Sequence, residues 1–422
     1  MKIAVPAETF PGERRVAIVP ASLKPLSKLG AEVLVERGAG VKAGFTDDDY
    51  TAAGARIIDD RGELLESADL IVQVRAATAN PEAGQADLAR LKAGQCLIAQ
   101  CDPLSDAGAM VKLAGTGAAI ISLELVPRIT RAQSIDVLSS MATLAGYKAV
   151  LIAANHAPQM FPMMMTAAGT LAPAKVLVLG VGVAGMQAIA SAKRLGAVVH
   201  AYDLRPETKE QVESLGGKFV VLDIESGTGE GGYARAMGEE FYRKQRELMT
   251  EVVRDFDVVI TTAAVPGKKA PTLLTKEMVA AMPAGSVVVY LAAERGGNCE
   301  LTRPGETCVV DGVTIIGPMN VPSDLPKHAS QMFSNNVTTF LKLLLNDGKI
   351  IFNMQDEVIA GMLVAKDGEV LHPFVRELAG LPKIAPVAAP QPAPAAVPEP
   401  TPPRETIPLA GDEPESPPAE SP

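Results

Sequence analysis

The chain has 422 residues, a net charge of −10, four cysteines, four histidines and no tryptophan. That length allows two or three domains, each large enough to bury a core, and the acidic balance with no basic run excludes nucleic acid as an expected partner. No apolar stretch approaches the roughly 20 residues that span a bilayer, and the start, MKIAVPAETFPGERR, lacks a signal-peptide core, so a cytoplasmic location is expected.

From Met1 to about Val126 apolar runs alternate with helical patterns: MKIAV, a helix around Ala21 to Leu29, AEVLVE, a helix around Asp47 to Ala53, DLIVQV, CLIAQ, a helix around Asp106 to Leu113, and AAIISLELV. Such alternation implies a parallel sheet covered by helices. Cys96, Cys101, Cys299 and Cys308 stand at spacings unlike zinc sites and are expected to be reduced thiols. His156, His200, His328 and His372 show no metal-type pairing, so no metal is expected. The methionines at Met163 to Met165 are expected in core packing.

The second half, about Ser140 to Met319, repeats the alternation around one distinctive stretch, KVLVLGVGVAGMQAIASAKRLGAVVHAYD. Val176 to Leu179 is an apolar β-type run. Gly180, Gly182 and Gly185 follow as G-x-G-x-x-G, and Ile189, Ala192 and Leu195 recur at helical spacing before Gly196. A second run, Val198 to Tyr202, ends in Asp203. This is the dinucleotide-binding order of strand, tight turn, helix, strand and terminal acid. Gly180 permits the turn, Gly182 admits a pyrophosphate to the backbone and Gly185 lets helix pack on strand, while the helix N-terminus offers free N–H groups. Asp203 suits an unphosphorylated adenosine ribose and so predicts NAD; Arg205 is the contrary hint, because an arginine there suits a 2′-phosphate.

FVVLD, DVVITT, SVVVYLAA and VTIIG read as further buried parallel strands. After the prolines at Pro318, Pro322 and Pro326 a helix runs from about Ala329 to Leu345, followed by DGKIIFN and irregular chain to Lys383. Residues 384–422 are rich in proline and alanine, then acidic, and are expected to be disordered. The fold class is therefore α/β, with two Rossmann-like doubly wound parallel-sheet domains and a cleft between them. The expected boundaries are 1–138 with 328–383 for the first domain, 139–327 for the NAD(H)-binding domain and 384–422 for the tail.

PGERRVAI, PRITRAQSIDVLSS, FPMMMTAAGT, VGVAGMQAIASAKRLGA, GGYARAMGEEF and AAERGGNC together make the chain resemble the NAD(H)-binding subunits of the proton-translocating nicotinamide nucleotide transhydrogenases, and more distantly alanine dehydrogenase. The likeness covers roughly Met1 to Leu381. It implies a homodimer with NAD(H) in the cleft, NADP(H) on a partner subunit, and membrane-embedded alpha-2 and beta subunits that carry protons, so that this chain lies peripheral to the inner membrane. A chain ending without membrane helices fits the split form of that family.

The resemblance also implies the cofactor contacts. Arg128, Ile129, Gln133, Asp136 and Ser139 match a loop reaching the nicotinamide side; Gly180, Val181, Gly182, Val183 and Gly185 match the phosphate turn, and Asp203, Leu204 and Arg205 the ribose end. Gly232 and Tyr233 match a mobile loop that closes over the nucleotide, with Gln245 beyond it, and Ala264 follows a strand end facing the cofactor. Read without the resemblance, Gln133, Asp136 and Ser139 are simply the polar face of a helix start.

Alanine dehydrogenase needs a lysine and a histidine to bind substrate and move protons; at the matching places this chain has Arg75 and Asp102. Hydride passing between two nicotinamide rings needs only apposition. The resemblance thus gives Arg128, Gln133, Asp136 and Tyr233 a positioning role in catalysis. An alanine-dehydrogenase-like activity and a non-catalytic NADH-sensing role are the alternatives.

Overall fold

In the computed structural model, which describes residues 1–383 apart from 81, 225–237, 264–266 and 268–269, the unbroken apolar runs of both halves become buried strands. The first six, β1 (Lys2–Val5), β2 (Glu32–Glu36), β3 (Arg56–Ile58), β4 (Leu70–Arg75), β5 (Cys96–Gln100) and β6 (Ala119–Ser122), are parallel in the order 3-2-1-4-5-6. Alternate residues point to opposite faces. Ile3, Val5, Val72 and Ile98 pack against Phe333, Val337 and Phe340 on one side, while Ala4, Leu34, Ile71 and Leu97 meet Leu64, Met110 and Leu113 on the other.

A short antiparallel hairpin, β7 (Met164–Thr166) with β8 (Gly169–Leu171), precedes the second sheet. That sheet contains β9 (Lys175–Leu179), β10 (Val198–Tyr202), β11 (Lys218–Phe219), β12 (Val258–Thr261), β13 (Val287–Tyr290), β14 (Thr307–Val310) and β15 (Val313–Ile316). Its order is 11-10-9-12-13-15-14, parallel except for the β14 edge. Both sheets reverse direction of winding beside their first strand, between β1 and β4 and between β9 and β12. Open α/β sheets bind ligands outside the carboxyl ends of the strands at such a point.

The Val137–His156 helix connects the halves, with the helix Val183–Arg194 against one flank and Pro326–Leu344 against another. Gly146 makes the first contact close: a Cβ there would lie 2.1 Å from the Ala184 carbonyl oxygen. This helix corrects one expectation from sequence, because its 20 residues are long and apolar enough to cross a bilayer by length and composition. Its buried side, Val137, Met141, Gly146, Ala149, Val150 and Ala153, packs within the protein.

Three other expectations need correction. FVVLD is not a buried strand: only Lys218–Phe219 pairs, at the sheet edge, and Val221 is 73% exposed. Met163, Met164 and Met165 are not core but exposed, on and beside the β7–β8 hairpin. A hairpin of β16 (Leu345–Asn346) and β17 (Lys349–Ile350) takes in the start of DGKIIFN, and the segment after it is regular, with a helix Glu357–Met362, a hairpin of β18 (Leu363–Lys366) and β19 (Glu369–Val370), and a helix Pro373–Leu378. β18 lies antiparallel to β6, so this late segment completes the first sheet. The tail expectation, residues 384–422, lies outside the described residues.

Candidate functional site

The dinucleotide turn is built as the glycine spacing requires. Gly180 leaves β9 at φ 95°, a left-handed value that favours glycine. Gly182 is the N-cap of the Val183–Arg194 helix, and a Cβ on it would meet nothing within 4 Å, so the space over the helix N-terminus is open. Gly185 is the packing glycine: its Cβ would fall 2.0 Å from the Gly180 carbonyl oxygen. Thr262, just after β12, donates to that same oxygen at 2.8 Å and ties the two strand ends at the switch point. The residues present suit a pyrophosphate: a helix N-terminus with no side chain in the way at Gly182.

Asp203, at the end of β10, accepts from the Val181 N–H at 2.7 Å and from Arg205 at its backbone N–H, Nε and Nη2. Burial alone would raise its pKa, but Arg205 and the N–H donors hold it below the usual carboxylate range. Arg205 also donates to the Val181 carbonyl oxygen at 3.2 Å, so its guanidinium is turned inward onto the turn. Leu204 packs beside the second core. Gln245, on the Glu239–Val253 helix, is buried and donates to the Tyr202 hydroxyl at 2.9 Å, next to a small cavity lined by Leu179, Met249 and Met278. Burial pushes the Tyr202 phenol up to about 12, so it stays neutral.

The loop from Arg128 to Ser139 leads into the connecting helix. Thr130–Ile135 is a 3-10 turn with Ala132 and Ile135 buried and Gln133 exposed, while Ile129 packs on the first core and Arg128 is exposed. Asp136 is the N-cap of Val137–His156: its side chain accepts from the Ser139 N–H at 3.0 Å, and the Ser139 hydroxyl donates back to it. The helix-start pattern is therefore physically present, and it is what orients these two side chains. Ten residues, about 15 Å of helix, separate Asp136 from Gly146, which touches the first turn of the Val183–Arg194 helix. Gly232, Tyr233 and Ala264 lie outside the described residues.

A second polar cluster stands at the β1/β4 switch point. Arg15 forms a buried bidentate pair with Glu13, both contacts 2.7 Å. Arg75 approaches Glu13 at 3.4 Å and Glu294 at 3.7 Å, and stacks over Phe10. Asn320, held at φ 47°, receives hydrogen bonds from both arginines and donates to Glu13. Burial would raise Glu13, but the Arg15 hydrogen bonds and charge bring it down to about 2. Glu8 is pushed up to about 8 by burial and by Glu13. Both its carboxyl oxygens accept backbone N–H groups, of Val74 and Arg75, so it ties down the carboxyl end of β4.

Beyond the end of β5, Asp102 sits at φ 54°, with its backbone N–H and that of Cys101 bound by the Glu124 carboxylate. Its side chain takes Arg295 at 2.8 Å, and Ser105 pairs with the same guanidinium. Glu294 and Arg295, neighbours in AAERGGNC just after β13, thus bring opposite charges to Arg75 and Asp102 on the first sheet. Nothing local marks a role for this pair; a lone Glu-Arg among small residues was the available signal.

Two sequence profiles match, the alanine dehydrogenase/PNT N-terminal domain over residues 4–145 and the alanine dehydrogenase/PNT C-terminal domain over residues 149–373. The chain is 50% identical over 379 residues to the first portion of a divided NAD(P) transhydrogenase subunit alpha of Rhodospirillum rubrum, covering 88% of this chain and 98% of that protein. Among solved structures it is similar to a transhydrogenase from Sinorhizobium meliloti, with TM-score 0.76, 40% identity, and coverage of 89% of this chain and 100% of that one. It is also similar to an L-alanine dehydrogenase, with TM-score 0.74, 26% identity, and coverage of 90% and 99%.

Proposed function

The chain belongs to the alanine dehydrogenase/PNT family, and from that premise we propose that it is the NAD(H)-binding component of a proton-translocating transhydrogenase. In this reading it passes hydride from NADH to NADP+ held by a partner subunit, and membrane-embedded alpha-2 and beta subunits couple the transfer to proton movement. Residues 1–138 with 328–383 form one domain and 139–327 the NAD(H)-binding domain, with the cofactor in the cleft between them. The chain is peripheral to the inner membrane, on its cytoplasmic side. The exposed Met163, Met164, Met165 and Leu171 of the hairpin support a homodimer, since so much apolar side chain favours burial against a second copy.

The nicotinamide of bound NADH supplies the hydride. The phosphates lie over Gly180 to Val183 and the Val183–Arg194 helix N-terminus, with Asp203 and Leu204 at the adenosine ribose and Gln245 nearby. Arg128, Ile129, Gln133, Asp136 and Ser139 hold the nicotinamide side, and Gly232, Tyr233 and Ala264 complete the site. Arg205, paired to Asp203, stiffens the ribose end. Orientation is the catalytic contribution of Arg128, Gln133, Asp136 and Tyr233, because hydride transfer between two rings moves no proton at the reacting carbons.

The observation that carries the reading is the charge pairing of Arg75 with Glu294 and of Asp102 with Arg295. An amino-acid dehydrogenase needs a cation for the substrate carboxylate and a group that exchanges protons; here Arg15, Arg75 and Arg295 are each matched by an internal carboxylate. The test mixes the purified chain with NADH and a separately purified NADP+-loaded transhydrogenase domain. Reduction of the NADP+ is expected. Alanine-dependent formation of NADH by the chain alone would replace the proposal with a dehydrogenase, and NADH binding with neither reaction would leave a sensor.

A further inference from the structure

The Arg128 to Asp136 loop is anchored by residues more than 200 positions later in the chain. Arg131 is gripped by Asp356, Nη1 to Oδ2 at 3.0 Å and Nη2 to Oδ1 at 2.8 Å, with Glu357 at 3.4 Å from Nε. Asp356 is itself fixed, since it caps the Glu357–Met362 helix by accepting from the Val358 N–H at 2.8 Å. On the opposite side the Asn336 side chain, buried on the Pro326–Leu344 helix, donates from Nδ2 to the Ser134 carbonyl oxygen at 2.9 Å.

Two physical points give these contacts a meaning beyond fold stability. A six-residue 3-10 turn without a side-chain N-cap is not self-supporting, so its shape is imposed from outside. Asn336 also keeps its Oδ1 buried with no partner. A carbonyl can only accept, so Ser134 forces Nδ2 toward itself and leaves Oδ1 stranded, at a cost to stability. An apolar side chain would avoid that cost.

We propose that Asp356 and Asn336 are positioning residues for NAD(H): they hold the Thr130–Ile135 turn so that Arg128 and Gln133 are presented to the nicotinamide. The inference rests on the reading of this loop as the cofactor loop. Asp356 acts through Arg131, Asn336 through the Ser134 carbonyl, and neither touches the nucleotide. The Arg131–Asp356 contact is partly exposed, and losing a pair of that kind changes affinity by at most about fivefold.

The experiment measures NADH dissociation constants by fluorescence, hydride-transfer kcat and KM with an NADP+-loaded partner domain, and thermal unfolding. It compares the full-length chain with Gln133→Ala, Arg131→Ala, Asp356→Ala, Arg131→Ala with Asp356→Ala, Asp356→Asn and Asn336→Leu. Asp356→Ala and Arg131→Ala each weaken NADH binding about fivefold, and the double variant is no worse than either, because both release one anchor. Asn336→Leu weakens binding and raises KM for NADH while its melting temperature is unchanged or higher, a combination that a purely structural role does not produce. Asp356→Asn keeps a good N-cap and loses the charge, so it preserves the test if the alanine variant fails to fold. If Gln133→Ala weakens binding while Asp356→Asn and Asn336→Leu bind NADH like the parent, the positioning inference is wrong and the loop reading stands. If Gln133→Ala also binds like the parent, the loop reading falls and the inference with it.

Discussion

Replacing Arg15 with methionine strips the charge from the most deeply buried ion pair among the described residues while keeping much of the side-chain volume. Glu13 and Arg15 are 1% and 3% exposed, so water screens neither. Glu13 is brought from the ordinary 4.5 down to about 2, which corresponds to roughly 3 kcal/mol of pairing at about 1.4 kcal/mol per pH unit. The folded-state value is depressed, so this stabilisation is fully present above the unfolded value of 4.5 and is lost as pH falls toward about 2. In Arg15→Met the carboxylate keeps its contacts with Asn320, Ser323 and Arg75 but lacks its bidentate partner, so the loss stays near the lower end of the roughly 3–5 kcal/mol typical of a broken buried pair. Urea unfolding at a series of pH values measures it. The difference between parent and variant should be about 3 kcal/mol at pH 7 and fall by about half between roughly pH 5 and pH 3, as the variant's Glu13 becomes neutral. A difference that stays flat over that range, or is under about 1 kcal/mol at pH 7, would refute the reasoning.

Gly146→Ala places a Cβ 2.1 Å from the Ala184 carbonyl oxygen and should cost about 1–3 kcal/mol or more, read as a lower melting temperature. Asp203→Asn removes a charged acceptor at the proposed ribose end and should weaken NADH binding by about tenfold or more. Fluorescence titration should also show the preference for NADH over NADPH shrinking, and an unchanged preference would count against Asp203 as its source. Arg295→Ala and Asp102→Ala, combined in a double-mutant cycle, should show a coupling of up to about 1 kcal/mol at low salt, because both side chains are more than a third exposed. That coupling should nearly vanish in about 1 M salt; a salt-independent value would mean the pair is not electrostatic.

Much of the fold was legible because strands and turns depend on neighbours in the chain. The runs that became β1, β2, β4, β5, β9, β12, β13 and β15 are predominantly apolar, and the glycines at Gly180 and Gly185 mark places where a side chain has no room. The failures share one cause. FVVLD has the composition of a buried strand, but its place at the sheet edge leaves Val221 in water; the methionines near Met164 have the composition of core, but the hairpin that carries them stands out from it. Composition reports what a residue tolerates, not where the chain takes it.

The candidate site divides in the same way. Local sequence by itself determined the strand, tight turn, helix and terminal acid from Lys175 to Asp203, because those elements need only the dihedral freedom of glycine and the periodicity of apolar residues. Tertiary structure alone decided that Glu294 and Arg295 meet Arg75 and Asp102, that Asn320 bridges Arg15 and Arg75, and that Asp356 and Asn336 grip the Thr130–Ile135 turn. The physical reason is range: a charge or an amide selects whatever partner the fold brings within about 3 Å, and no spacing along the chain specifies which of many distant candidates that will be.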